Sequence, residues 1–544
     1  MSNVVNALDT KKTPEHSVPG DIRNGQDVLH DLRTNELFVA IVGPAGAGAG
    51  TAAKILSSFF KENDYQTKII KVSSLIRQEA ENNDLKVPNQ ESRKTLDDIE
   101  IMQDRGDELR KGDIYDRQED HSAVARLVLG NISECRAKLQ DIEFRGEPIV
   151  PDGTPRVFII DSLRHPAEVS LFRELYQDSF SLIGIVCDPA KREERIRCNL
   201  FDRSEIGKES VKMQVQDFLN RDENAEEKYG QHVSDTFYEA DFFVDNTQNA
   251  NEDLTITGMN DDLRRFVNLI TQKSVISPTI SETAMHHAYS SQMRSVCLSR
   301  QVGATLVNSA GNIVATGAND VPKAGGGIYG NSFSLLAEDK DHRCAFRETK
   351  YCSSNKEQNN IIEELINAFP ALTHSENKEE IVKKIRKTRL GGLIEFSRAI
   401  HAEMDTILSA SVSGISPKGC RMYVTTYPCH YCARHIITAG IDEVQFIEPY
   451  PKSKATALHD DAITVDSKDW IAPSKGGSHV LFRPFVGVAP RLYRRVFLKV
   501  RDYKDKVTGD LLLSSPNWGR PSEAYKEPYS SMEIKLSWQG VDND

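Results

Sequence analysis

Apolar and polar positions alternate between two kinds of pattern along the first half of the chain. Leu37-Phe38-Val39-Ala40-Ile41-Val42 is a short unbroken apolar run that ends in glycines, and Thr51 to Phe60 then carries apolar residues at helical spacing. This predicts a strand, a loop and a helix. Runs at Thr67 to Val72, Val157 to Ile160, Ser181 to Val186 and Phe242 to Val244 alternate with helix-like stretches, the pattern of a parallel sheet covered by helices. We expect a first α/β domain over 35–272, preceded by a loosely held leader over 1–34 that is polar and carries Pro14, Pro19 and Gly20. A second α/β block is expected over 273–544. In it Ala304 to Val307 and Ile313 to Ala315 flank a polar turn, which predicts a hairpin, and strands at Arg421 to Thr425 and Glu443 to Ile447 enclose a helix from Cys429 to Ala439. A charged, loop-rich and partly helical stretch over about 325–389 interrupts this block and reads as an insertion without a core of its own.

Composition narrows the classes of function. The 544 residues are 39% hydrophobic, enough for real cores. The longest apolar stretch, Leu37 to Gly50, is too short and glycine-rich to cross a bilayer, and the polar start lacks the apolar segment of a signal peptide. No membrane partner is expected. Nine cysteines are too sparse for a disulfide scaffold, which points to a reducing cytoplasm. A net charge of −12 disfavours sequence-blind coating of nucleic acid and leaves small anionic substrates, or a local groove for one RNA, open.

The chemistry concentrates at His401-Ala402-Glu403 and Pro428-Cys429-His430-Tyr431-Cys432. Two cysteines three apart at a helix start put both sulfurs on one face, where the helix N-terminus favours thiolate. His401 from a separate helix supplies the third ligand of a tetrahedral zinc and leaves the fourth position to water, whose pKa zinc lowers to about 7. Glu403, two residues from His401, is placed to carry protons from that water to ring N3 of a cytosine and on to the departing ammonia. The bland readings are a closed zinc knuckle completed by His430 or His435, or reduced core cysteines. Neither explains the glutamate beside the histidine or the proline before the first cysteine.

H-x-E with P-C-x-x-C is the signature of zinc nucleobase deaminases, and the surroundings resemble the deoxycytidylate deaminase family. Arg300-Gln301-Val302-Gly303-Ala304 looks like that family's first strand, Gly317-Ala318-Asn319-Asp320-Val321-Pro322 is similar to its G-x-N-x-x-P loop, and Ala433 to Ile441 continues its zinc helix. The resemblance implies a cytidine deaminase-like α/β/α domain in which Asn319 bonds the substrate's sugar or base. Asp405 stands where that family usually has Asn, which leaves the sugar or phosphate contact open. Arg300, Lys323 and Arg434 are candidates for phosphate contacts. His342, Cys344 and Cys352 offer three ligands of a second zinc, or remain free thiols.

Gly43-Pro44-Ala45-Gly46-Ala47-Gly48-Ala49-Gly50-Thr51 follows a predicted strand and opens a helix, the setting of a phosphate-cradling loop. It resembles the P-loop of nucleoside monophosphate kinases, but Ala49 stands where those have lysine. Gly43, Gly46, Gly48, Gly50 and Thr51 are then the cofactor-binding residues of a site that holds a nucleotide with Mg²⁺ without transferring phosphate. Asp161 reads as the Mg²⁺ partner or as a helix cap, Lys191 to Arg197 as an arginine-bearing lid or an exposed helix, and Val244-Asp245-Asn246-Thr247 as a base-framing loop.

A lysine-less P-loop kinase-like domain joined to a deoxycytidylate-type deaminase looks like the bacterial anti-phage dCTP deaminases. That resemblance implies deamination of dCTP and dCMP to dUTP and dUMP, depletion of a phage precursor, restraint by a small RNA and a homo-oligomer. Two other readings are a polynucleotide cytidine or adenine deaminase, which needs a basic aromatic groove, and a nucleotide-sensing protein whose zinc is only a scaffold.

Overall fold

The apolar run after Glu36 becomes β1 (Glu36–Val42), buried along its whole length. β2 (Gln66–Lys71), β3 (Arg156–Asp161), β4 (Phe180–Val186) and β5 (Phe242–Asp245) join it in the order 2-3-1-4-5, all parallel. A central parallel strand is covered on both faces, so continuous apolar residues replace alternation. Leu37, Val39 and Ile41 enter one core and Phe38, Ala40 and Val42 the other. This computed structural model describes residues 34–89, 93–223, 227–247, 258–272, 274–330, 340–369, 377–393, 395–450, 453–499, 503–511 and 526–537. The expected leader lies, apart from Thr34, outside them.

The second sheet holds β6 (Gly303–Val307), β7 (Ile313–Ala318), β8 (Arg421–Thr426), β9 (Glu443–Glu448), β10 (Ile463–Thr464) and β11 (Val480–Pro484) in the order 10-11-9-8-6-7. β6 pairs antiparallel with both β7 and β8, and β8, β9, β11 and β10 run parallel. The fold is thus mixed α/β with two sheets dominated by parallel pairing. The insertion is partly helical, as expected, but departs from the expectation that it lacks a core. Its helices Ser353–Ala368 and Lys378–Lys387 bury Ile362, Ile366 and Ile381 against Val382, Ile385 and Leu390. It therefore carries a small core, because the apolar residues recur at helical spacing and two amphipathic helices can bury them mutually.

The end of the chain returns to the first sheet. β12 (Gly487–Val488) pairs antiparallel with β5, and the helix Pro490–Phe497 places Leu492 in the same core as Val39 and Phe242. Further on, the helix Lys526–Leu536 sets Tyr529 and Glu533 against the helix Ala123–Leu139. Residues expected in a second domain over 273–544 hence complete the core of the first. No helix among the described residues is long and apolar enough to cross a membrane.

Candidate metal centre and catalytic cavity

Two helix starts converge at the carboxyl side of the second sheet. Ile400 bridges to Asp320, which fixes the chain just before His401, and His401 then caps the helix Ala402–Val412 with Glu403 in its first turn. β8 runs directly into Pro428 and Cys429, and Cys429 caps the helix His430–Thr438, its sulfur accepting from the Cys432 amide at 3.5 Å. His401 Nδ1 lies 3.3 Å from Cys429 Sγ and 3.3 Å from Cys432 Sγ. Tetrahedral zinc with bonds of about 2.3 Å to sulfur and about 2.05 Å to nitrogen sets those atoms roughly 3.5 Å apart, so the donor set fits that ion.

Among the described residues, these three are the group of metal-ligating side chains whose donor atoms meet within 4.8 Å. The knuckle completed by a second histidine is not formed: His430 and His435 are outside the group, and His435 Nδ1 bonds the Tyr431 carbonyl at 2.7 Å. His342, Cys344 and Cys352 do not come together as a second centre. Arg398 instead touches the His342 carbonyl and Cys344 Sγ, and Cys352 Sγ lies 3.5 Å from Ser299 Oγ.

The electrostatics of the group suit a cation. The Cys432 thiol donates to Cys429 and, against the cost of burial, the neighbouring His401 adds to this, so Cys429 falls to about 4. Burial disfavours a charged His401, yet the contact with Cys429 and the charge of Glu403 carry it up to about 9. Burial and the Cys429 thiolate push Glu403 up to about 7, and burial raises Cys432. Protons are therefore held where a metal ion would displace them.

Glu403, His401 and Cys429 open into a cavity of about 360 Å³ that Asn319, Arg300, Tyr427 and Tyr450 also line. Asn319 is in place, but its amide already spans the chain before β6, accepting from Val302 N at 2.6 Å and donating to Arg300 O at 2.7 Å. Asp405 does not line the cavity. Its carboxylate accepts from Ala318 N at 3.0 Å and so steadies the end of β7 beside Asn319. Of the phosphate candidates, Arg300 lines the cavity, paired with Glu448 at 2.7 Å, whereas Lys323 and Arg434 do not, Arg434 lying over the Tyr431 ring. Arg398 lines the cavity and was missed by sequence reasoning, although it stands only three residues before His401.

In the first sheet the glycine loop follows β1 and opens the helix Ala49–Lys61. Gly48 caps it at φ 98, where a Cβ would meet Asn246 Nδ2 at 2.4 Å, and at Gly46, φ 80, a Cβ would lie 2.9 Å from Arg192 O. Only glycine suits both positions. Asp161 ends β3 beside Gly50, and Asn246 Nδ2 donates to Ala47 O at 2.6 Å. The stretch Lys191 to Arg197 lies in the helix Pro189–Leu200, where Arg192 is buried and Arg195 reaches Gly46 O and Asn246 O. The loop, Asp161, the arginine-bearing helix and Asn246 thus meet in space. One loop amide, Ala45 N, is taken by Asp222 Oδ2 at 2.7 Å.

A His-Cys-Cys donor group that fits zinc, beside a buried carboxylate and mounted on a mixed α/β sheet, has the residues of the zinc nucleobase deaminase signature. The chain belongs to the cytidine and deoxycytidylate deaminase family, whose zinc-binding region matches residues 278–448. It is 30% identical over 176 residues to the deoxycytidylate deaminase of enterobacteria phage T4, covering 32% of this chain and 80% of that protein. With the human deoxycytidylate deaminase it shares 28% over 178 residues, 32% of this chain and 70% of that one. The solved dCMP deaminase of cyanophage S-TIM5 aligns at 17% identity over 39% of this chain and 100% of its own, with a TM-score of 0.21. Residues 34–272 lie outside the family match.

Proposed function

We propose that the chain hydrolytically deaminates deoxycytidine nucleotides, dCMP and dCTP to dUMP and dUTP, at a zinc ion held by His401, Cys429 and Cys432. The observation that carries this reading is the imidazole nitrogen 3.3 Å from both sulfurs, with Glu403 in the same cavity. Bound zinc supplies a Lewis acid that makes hydroxide available near pH 7. Glu403 accepts the water's proton and delivers it to N3 as hydroxide adds at C4. It then takes the remaining proton from the new C4 hydroxyl and passes it to the amino group, which leaves as ammonia as the C4–N bond breaks and the C4 carbonyl forms. Asn319 holds the edge of the cavity where the sugar enters, and burial of the first-turn carboxylate keeps bulk water away from it. The test is ammonia release from dCMP, dCTP and a cytosine-containing single-stranded DNA. We expect turnover of the free nucleotides, and activity on the polymer alone would reject the reading.

For the first sheet we infer a nucleotide site, with Gly43, Gly46, Gly48, Gly50 and Thr51 around the phosphates and Asp161 toward Mg²⁺. The left-handed glycines and the cluster of Asp161 and Asn246 on the loop support this. Ala49 offers no charge to the transferring phosphate. Incubation with ATP and nucleoside monophosphates should therefore show no γ-phosphate transfer, and transfer at ordinary kinase rates of about 1–100 s⁻¹ would overturn the inference. In the cell the combined activities fit drainage of the cytoplasmic dCTP pool against phage replication, by a homo-oligomer under restraint by a small RNA.

A further inference from the structure

Residues from the insertion line part of the cavity beside the metal centre. Cys352, Ser353, Ser354 and Asn355, at the start of the helix Ser353–Ala368, line it together with Arg398. Among the described residues, the carboxylates of the lining are Glu403, beside the metal ligands, and Asp320, which pairs with Arg343 of the insertion. Asp320 is already committed to Val296 N at 3.0 Å, Val321 N at 2.8 Å and Arg343 at 3.3 Å. The wall formed by the insertion has hydroxyls, no acidic residue in the first turn of its helix and no side chain capping that turn.

Arg398 is the cation of that wall. It bonds the His342 carbonyl at 3.1 Å, and among the described residues no carboxylate pairs with it. It stands three positions before His401, which holds its Cα within about 11 Å of the ligand's, and the Ile400 to Asp320 bridge fixes the segment between them. Arg300, by contrast, is neutralised by Glu448. A guanidinium without a counter-ion in a carboxylate-free wall attracts a ligand that brings several negative charges.

We propose that Arg398 and the hydroxyl-bearing start of the Ser353–Ala368 helix receive the second and third phosphates of a cytosine nucleoside triphosphate whose base faces the metal centre. This rests on the deaminase reading and adds to it a role for the insertion as the element that selects triphosphate over monophosphate. Residues around the metal serve the base and sugar, which all substrates share. The insertion serves only the distal phosphates.

The experiment compares kcat/KM of the wild type and Arg398→Ala on deoxycytidine, dCMP and dCTP, alongside equilibrium binding of dCTP and dCMP. We expect a loss of about 10- to 100-fold for dCTP, carried mainly by KM, with dCMP and deoxycytidine changed less than threefold. Ser353→Asp is the second variant. A carboxylate in a helix first turn favours the helix, so folding is retained while the wall repels phosphate, and it should show the same selective loss. Equal losses for dCMP and dCTP would assign Arg398 to the first phosphate and overturn the proposal, as would no loss with either variant. A wild type that binds dCTP more tightly than the Arg398 variant yet releases no ammonia would sink the deaminase reading while sustaining the triphosphate site.

Discussion

Glu403→Gln is expected to lower deamination by about 10²- to 10⁴-fold, or roughly 2.7–5.5 kcal/mol of barrier, while the protein keeps its metal. The side chain is 4% exposed, and its carboxylate is not one of the three donors that meet within 4.8 Å. Glutamine preserves its volume and a hydrogen-bonding oxygen, so the cavity wall stands, but it cannot take a proton from water and give it to N3. Metal analysis and ammonia release on the same preparation check both halves. Turnover within threefold of wild type would remove Glu403 from the chemistry, and loss of the metal would make it a ligand. In infected cells the same substitution should abolish any fall in dCTP caused by the wild type.

That residue was legible because its signal is local. Cys429 and Cys432 are three apart at a helix start, so helix geometry alone puts both sulfurs on one face, and Glu403 lies in the first turn of the helix that His401 caps; only the meeting of the two helix starts needed the fold. The central strands were legible for a similar reason: β1, β3 and β4 are buried on both faces and read as continuous apolar runs. β10 and β12 are two residues long, too short for any period to show, and β12 owes its place to pairing with β5 some 240 positions earlier in the chain, a long-range contact that no local pattern encodes. Asn319 shows a different limit. Its motif marks the loop correctly at the cavity, yet the bonds that occupy its amide run to Val302 and Arg300, and these depend on how β6 and β7 pack. Nothing in the local sequence marks Arg398, because its place in the cavity shows only once the residues of the insertion line it too.

Arg136→Met is expected to destabilise the chain by about 3–5 kcal/mol, because it strands the buried Glu533 carboxylate and takes the nearer of two guanidinium partners from Glu36. Arg136 is fully buried between the ends of the chain. It meets Glu36 of β1 at 2.9 Å and Glu533 of the C-terminal helix at 2.5 Å, and the Tyr529 hydroxyl donates to Glu36 at 2.9 Å while the Tyr176 hydroxyl donates to Glu533 at 2.6 Å. Burial works against the guanidinium charge, but the two carboxylates hold its pKa above the ordinary value. With methionine in its place Glu36 keeps only Arg156 at 3.8 Å, whereas Glu533, on the last described helix, loses its guanidinium partner and is the one that can escape to water. Denaturant unfolding should show the loss, and limited proteolysis should cut the C-terminal helix first, at unchanged metal content because the metal centre lies in the other sheet. Adding Glu36→Gln and Glu533→Gln to Arg136→Met should restore part of the stability, since neutral groups of the same shape remove the buried negative charges. If Arg136→Met alone unfolds within about 0.5 kcal/mol of wild type, the ion cluster does not hold the C-terminal helix to the first sheet, and the return of the chain to its own beginning rests on the apolar contacts of Tyr529 with Phe38 and Tyr176.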